Sequence, residues 1–178
     1  MLAGLAMLAA TGMAMADQKD PGLDRLFARL RTVEDPVAAR ALVQAIWETW
    51  LAPADDDAGV LMRRGLQQMG TGEIDAAIET YSQLIELRPE FAEAWNKRAT
   101  LYWMAGDHVR SVADIRRTVA LEPRHFGAWS GLGMILAERD DLAGAVVAYE
   151  EVLKHRPGAE GVKGELARLR SKLKARET

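Results

Sequence analysis

The chain has no cysteine. That removes a disulfide framework, a thiol nucleophile and a thiol-linked lipid anchor, though it leaves the redox compartment undecided. No charge of one sign dominates: 23 Lys and Arg stand against 26 Asp and Glu, for a net charge of −3. Without a global basic field, nucleic acid is not an expected partner. No apolar run reaches the roughly 20 residues that a membrane-spanning helix needs. Aromatics make up only 6% of the chain, and β-branched runs are few, so almost no strand is expected. No serine stands where a strand–turn–helix elbow is expected, and no glycine-rich loop follows a predicted strand, so neither a hydrolase nucleophile nor a phosphate cradle is legible.

What is present is periodic. Proline is scarce, yet Pro89, Pro123 and Pro157 stand 34 residues apart, twice over. A fixed period of that length marks a stack of helical hairpins. Aligning the prolines gives blocks 58–91, 92–125 and 126–159. Each opens with a large apolar residue (Leu61, Trp95, Trp129), then a small one four positions on (Gly65, Ala99, Gly133). Twelve residues further comes a second small residue (Ala77, Ser111, Ala145), and four more bring Tyr81, Ile115 and Tyr149. Spacings of three and four are helical. Gly70-Thr71-Gly72, Gly106-Asp107 and Asp140-Asp141 interrupt the blocks where a tight turn is required. Glycine ends a helix at little cost, aspartate caps the next, and proline stops the second helix. The pattern predicts helices over 58–70, 73–87, 91–105, 107–121, 125–138 and 141–155. The small pairs Gly65 with Ala77, Ala99 with Ser111 and Gly133 with Ala145 are expected to face each other and let paired helices approach closely.

These residues resemble the tetratricopeptide repeat. The third block, AWSGLGMILAERDDLAGAVVAYEEVLKHRP, matches best, and AWNKRATLYWMAGDHVRSVADIRRTVALEP fits well. VLMRRGLQQMGTGEIDAAIETYSQLIELRP departs in its first half, with Leu61 where the family usually has Trp and Gln68 where it has Tyr. Runs such as WNKRATLY and RHFGAWSGLG look like those of exported bacterial repeat proteins. The resemblance implies an all-α fold: a right-handed α-solenoid of three hairpins spanning 57–158, a scaffold for binding rather than catalysis, and no cofactor.

Residues 1–16, MLAGLAMLAATGMAMA, carry no charge and read as a secretory signal peptide, with Ala14-Met15-Ala16 at the cleavage spacing and Asp17 as the mature start. The basic residue that usually precedes such a run is missing; a buried N-terminal helix is the other reading. Removing the peptide leaves roughly 160 residues, enough for one domain with a sizeable core. Export would place the protein in the periplasm. Residues 17–56 hold a predicted helical pair and linker. Leu23, Leu26, Phe27 and Leu30 make one apolar stripe; Val37, Leu42, Ile46 and Trp50 mark a second helix opened by Asp35-Pro36. This pair is expected to dock on the first repeat. Residues 159–178 hold a charged capping helix with Val162, Leu166, Leu169 and Leu173 on one side.

His108, His125 and His155 all fall at predicted helix ends or turns. None has a second His or a carboxylate at metal-ligand spacing on its helix face, so each is read as solvated or capping. Asp55-Asp56-Asp57 lacks the glycine and distal glutamate of a calcium loop and is read as a solvated linker and cap.

The resemblance implies that the first helix of each hairpin lines a concave groove. By that carry-over the lining residues are Met62, Leu66 and Met69, then Asn96, Thr100 and Trp103, then Ser130, Met134 and Ala137. The set contains no Lys or Arg. Family members that clamp a C-terminal carboxylate place Asn and basic residues there, and only Asn96 matches, so that clamp is not expected. Methionine accepts varied apolar shapes. Three hairpins give a cradle on the order of 30 Å, suited to an amphipathic helix or apolar peptide. The expected function is therefore a non-enzymatic adaptor holding an unidentified protein partner in the bacterial envelope. The rival reading is a groove filled by the chain's own N-terminal helices and homo-oligomerisation through Trp47, Trp50 or the terminal helix.

Overall fold

The computed structural model describes residues 18–53 and 55–176; the expected signal peptide and Asp17 lie outside them. Among the described residues there are nine helices and no strand: α1 (Pro21–Thr32), α2 (Pro36–Leu51), α3 (Asp56–Thr71), α4 (Ile74–Leu87), α5 (Ala92–Met104), α6 (His108–Leu121), α7 (Phe126–Glu138), α8 (Leu142–His155) and α9 (Glu160–Arg176). The hairpins α3–α4, α5–α6 and α7–α8 stack in sequence to form an all-helical solenoid.

One turn device is used three times. The amides of Glu73, Asp107 and Asp141 donate to the carbonyls of Gln68, Tyr102 and Leu136 at 2.9, 2.8 and 2.9 Å. These bonds satisfy helix-end carbonyls and require a left-handed residue just before them. Gly72 and Gly106 fill that position at φ 77°, and Asp140 takes it at φ 65° in the third repeat. Asp107 and Asp141 then cap α6 and α8 by accepting from the amides of Arg110 and Gly144. The proline turns are equally regular. The indole of Trp95 donates to the Pro89 carbonyl and that of Trp129 to the Pro123 carbonyl, both at 2.9 Å. Leu61 has no such donor, which is the physical content of the first block's departure.

Gly65, Ala99 and Gly133 are all buried. In the first and third repeats the nearest neighbours of this small position are aromatic rings. A Cβ on Gly65 would lie 2.6 Å from the Tyr81 ring, and one on Gly133 would lie 2.9 Å from the Tyr149 ring. The glycine makes room for the tyrosine across the hairpin, while Ala77 and Ala145 are buried beside it. In the middle pair the Ser111 hydroxyl donates to the Ala99 carbonyl at 2.8 Å.

The sequence suggested docking on the first repeat; the N-terminal pair lies mainly across the second and third, and only Leu51 at the end of α2 packs against the core cluster that includes the first repeat. Phe27 meets Phe126 at 6.4 Å between ring centroids, and Trp50 stacks on His125 at 4.1 Å. Arg124 donates to Asp24 at 2.6 Å and lies over the Phe27 ring. Gln18 hydrogen-bonds the carbonyl of Glu90 and the amide of Ala92. The linker does reach the first repeat, through an Asp55–Arg88 ion pair at 2.7 Å. Asp55 is the expected cap of α3, and beyond that it pairs with Arg88 at the end of α4. The reason for the docking site lies in the block starts. The third opens with His125-Phe126, where the others have Asp57-Ala58 and Phe91-Ala92. It alone offers an adjacent aromatic pair for Phe27 and Trp50. At the other end α9 covers α8 with Leu166 and Leu169, and ion pairs Arg170–Glu150 and Arg176–Asp140 flank it.

Candidate functional site

The groove runs along α5 and α7, and α2 enters one end of it. Trp47 is the wedge. A Cβ on Gly127 would stand 2.6 Å from the Trp47 ring, so only glycine permits this approach. The Lys97 ammonium lies 5.6 Å from the centre of the same ring. Beneath the aromatic cover sits a buried polar cluster. His125 is 0% exposed and Glu93 is 1% exposed, with His125 Nε2 and Glu93 Oε2 2.8 Å apart.

The protonation pattern of this cluster follows from its geometry. His125 Nδ1 accepts the backbone N–H of Ala128 at 3.0 Å, and a backbone amide can only donate. The ring proton of neutral His125 therefore sits on Nε2 and is donated to Glu93. Burial works to raise the Glu93 carboxyl, but the hydrogen bond from His125 and the charge of Lys97, 3.1 Å away, outweigh it and hold the group below the usual carboxylate range. His125 was read from sequence as solvated or capping; it does cap α7, but from a fully buried position. Its amphipathic ring is covered by Trp50 rather than by water.

Beyond α2 the groove remains open as a cleft of about 60 Å³. Four of the nine residues expected to line the groove meet there: Asn96, Thr100, Trp103 and Met134. Ala99, Ser111, Ile115 and Ile135 form its apolar back, and Gly127 and Gly131 keep its other wall low. Ser130 and Ala137 are half-buried on α7 outside this lining. The first repeat contributes nothing to the cleft. Met62 is a core residue, 2% exposed, whose sulfur accepts the buried Tyr81 hydroxyl at 3.9 Å. Met69 packs half-buried against the same core, and Leu66 is exposed. Trp50, offered from sequence as an oligomer contact, is 1% exposed and committed to the interior. Trp47 is half-buried against α7.

Sequence reasoning missed Glu93, His125, Gly127 and Gly131. A signal existed for the first three. Gly59, Glu93 and Gly127 are repeat-equivalent, so a lone acid between two glycines marked the position, and His125 is the polar residue at the entry of the third block.

A "TPR repeat" family model matches residues 68–106 and a "Tetratricopeptide repeat" model matches residues 110–160. Neither reaches residues 58–67, the half-block that departs from the pattern. A TPR repeat-containing protein of Rhizobium etli is 31% identical over 156 residues, covering 88% of this chain and 76% of its own. Among solved structures, the first TPR domain of Spaghetti bound to the HSP90 peptide SRMEEVD is similar with a TM-score of 0.62 at 26% identity, over 65% of this chain and 92% of that one. The Sgt2 TPR domain from Aspergillus fumigatus has a TM-score of 0.63 at 25% identity, over 71% of this chain and 85% of that one. With the same repeat found in the spacing of the residues, the geometry of the turns and the relatives, the chain belongs to the tetratricopeptide repeat family.

Proposed function

We propose that the chain is a non-enzymatic interaction scaffold of the bacterial envelope that captures a peptide segment of a partner protein in the open part of its groove. The observation that carries this reading is the cleft of about 60 Å³ where Asn96, Thr100, Trp103 and Met134 converge beside the docked α2. It is a concave, mostly apolar site with a few polar groups, the form a recognition site takes. The solved relative that holds an HSP90 peptide supports the same class of function. Since α2 takes one end, the groove suits a short segment better than a helix of its full length. The uncharged run at 1–16 supports export to the periplasm.

A photo-crosslinking side chain at Met134 in intact cells, followed by mass spectrometry, tests the reading. Thr100 is exposed on the rim, and Thr100→Arg fills the cleft without touching the core. Capture of one envelope protein that disappears with Thr100→Arg is the expected result. Capture unchanged by the arginine would remove the groove from consideration. Amino-terminal sequencing of the protein from a periplasmic fraction should begin at Asp17.

The rival reading, a groove filled from within and a role in self-assembly, draws on the occupation of one groove end by Trp47. Light scattering separates the two. A stable dimer without any partner favours self-assembly, and a monomer favours the adaptor.

A further inference from the structure

We infer that a second cleft, outside the groove, binds an acidic protein segment in which carboxylates flank aliphatic side chains. It shares no lining residue with the groove cleft and goes beyond the function proposed above.

This cleft holds about 550 Å³ between α6 and the α7–α8 turn. Its floor is apolar, with Val112 and Leu136 half-buried, and Val109 stands beside them 72% exposed. Arg116 and Arg139 supply its positive charge, and both are exposed. Among the described residues neither guanidinium has a hydrogen-bonding, ion-pairing or aromatic partner. The neighbouring carboxylates, by contrast, are engaged. Asp141 accepts the Gly144 amide at 2.9 Å, and Asp140 pairs with Arg176 at 2.6 Å. Glu138 lies 3.5 Å from Trp103 Nε1 and 3.9 Å from His108 Nδ1.

The repeat framework alone does not produce this chemistry. One repeat earlier, Asp75, Glu79, Ser82 and Ala105 hold the places of Val109, Ala113, Arg116 and Arg139. Acid has given way to aliphatic surface and base. Tyr102 holds the place of Leu136, and its ring is buried with the Arg110 guanidinium 4.5 Å from its centre. Leucine is the shorter side chain and leaves room. One repeat later, Glu150 replaces Arg116 and is paired with Arg170. Free guanidinium groups therefore meet an open aliphatic floor at the second-to-third junction. Arginine bonds carboxylates through paired N–H groups, and the floor gains by losing water to an aliphatic side chain. A volume of this size admits a short segment. A flat anionic membrane would reach the arginines but not the recessed Val112 and Leu136, so a peptide is the better fit.

Two blocked hexapeptides test this on the full protein. Glu-Asp-Leu-Leu-Asp-Glu carries the proposed chemistry, and Gln-Asn-Leu-Leu-Asn-Gln keeps its shape without the charge. Each is titrated while the methyl resonances of Val109, Val112 and Leu136 are followed by 13C-correlated NMR. The acidic peptide should shift these methyls and bind roughly tenfold or more tighter than the neutral one. The gap should shrink as salt rises. Arg116→Gln combined with Arg139→Gln should abolish the preference, whereas Thr100→Arg should leave it intact. Equal binding of the two peptides, unmoved cleft methyls, or a preference that survives the double variant each overturns the proposal. So does co-sedimentation with phosphatidylserine vesicles that the acidic peptide fails to compete away, which would assign the two arginines to a membrane. Any of these failures leaves the groove reading standing, because Thr100 and its neighbours take no part.

Discussion

At the scale of single residues, glycine is used for two opposite reasons. Gly65 and Gly133 are required by neighbours, since tyrosine rings occupy the space a methyl would need. Gly70 meets nothing within 4 Å and sits inside α3 with no unusual backbone demand. Gly133→Ala should therefore cost about 1–3 kcal/mol by overpacking, while Gly70→Ala should gain up to about 1 kcal/mol from helix propensity; urea unfolding of both reads the contrast. The Glu93–His125 pair makes a different residue-scale prediction. The folded-state Glu93 carboxyl lies below its ordinary value, because its partners outweigh its burial. Its contribution to stability is complete above the usual carboxylate range and is lost as pH falls through the depressed folded-state value. Wild type should lose stability through that acid window, and Glu93→Gln should flatten this part of the profile while lowering stability at neutral pH. A mutant profile parallel to the wild type would show that other carboxylates carry the effect.

At the scale of elements, the N-terminal pair is bound as core, not as a lid. Leu23, Phe27, Ile46 and Trp50 are each almost fully buried, and burial of such a side chain is worth about 1.5–3 kcal/mol. Trp50→Ala should cost about 3–5 kcal/mol. Its signature in hydrogen exchange should be regional: faster exchange in α1, α2 and the 125–128 turn, with α3 and α4 little changed. Uniform acceleration would contradict a docking centred on the second and third repeats. The apolar stripes of both helices were legible from residue spacing, apart from the exposed Val37, and so was the Asp35 cap of the second; the Asp20 cap of the first was not. Their partner was not, because a stripe specifies that a face will be buried and not against which surface. The deciding features were His125 and Phe126 at one block start and a glycine at 127 that admits Trp47.

At the scale of the whole molecule, the docked pair braces two repeats and leaves the first without a share in the cleft. Thr100→Arg should change unfolding stability by less than about 1 kcal/mol, since Thr100 is exposed, yet remove peptide capture; thermal melting and crosslinking read the two effects separately. Loss of both together would mean that the cleft is structural. The same division explains how much of the candidate site could be read in advance. Asn96, Thr100, Trp103 and Met134 meet because repeat-equivalent positions on successive first helices share a face. Met62 does not join them, since α3 turns it toward the Tyr81 hydroxyl and into the first repeat's own core.

The 34-residue period, the turn residues at 72, 106 and 140, and the tryptophan–proline pairs determine a helical stack by local chemistry alone, because each device acts between residues close along the chain. What fills the groove and which residues remain open were settled only in three dimensions. Those outcomes depend on contacts between positions far apart in sequence, such as Trp47 with Gly127 and Glu93 with His125, and no short-range pattern encodes them.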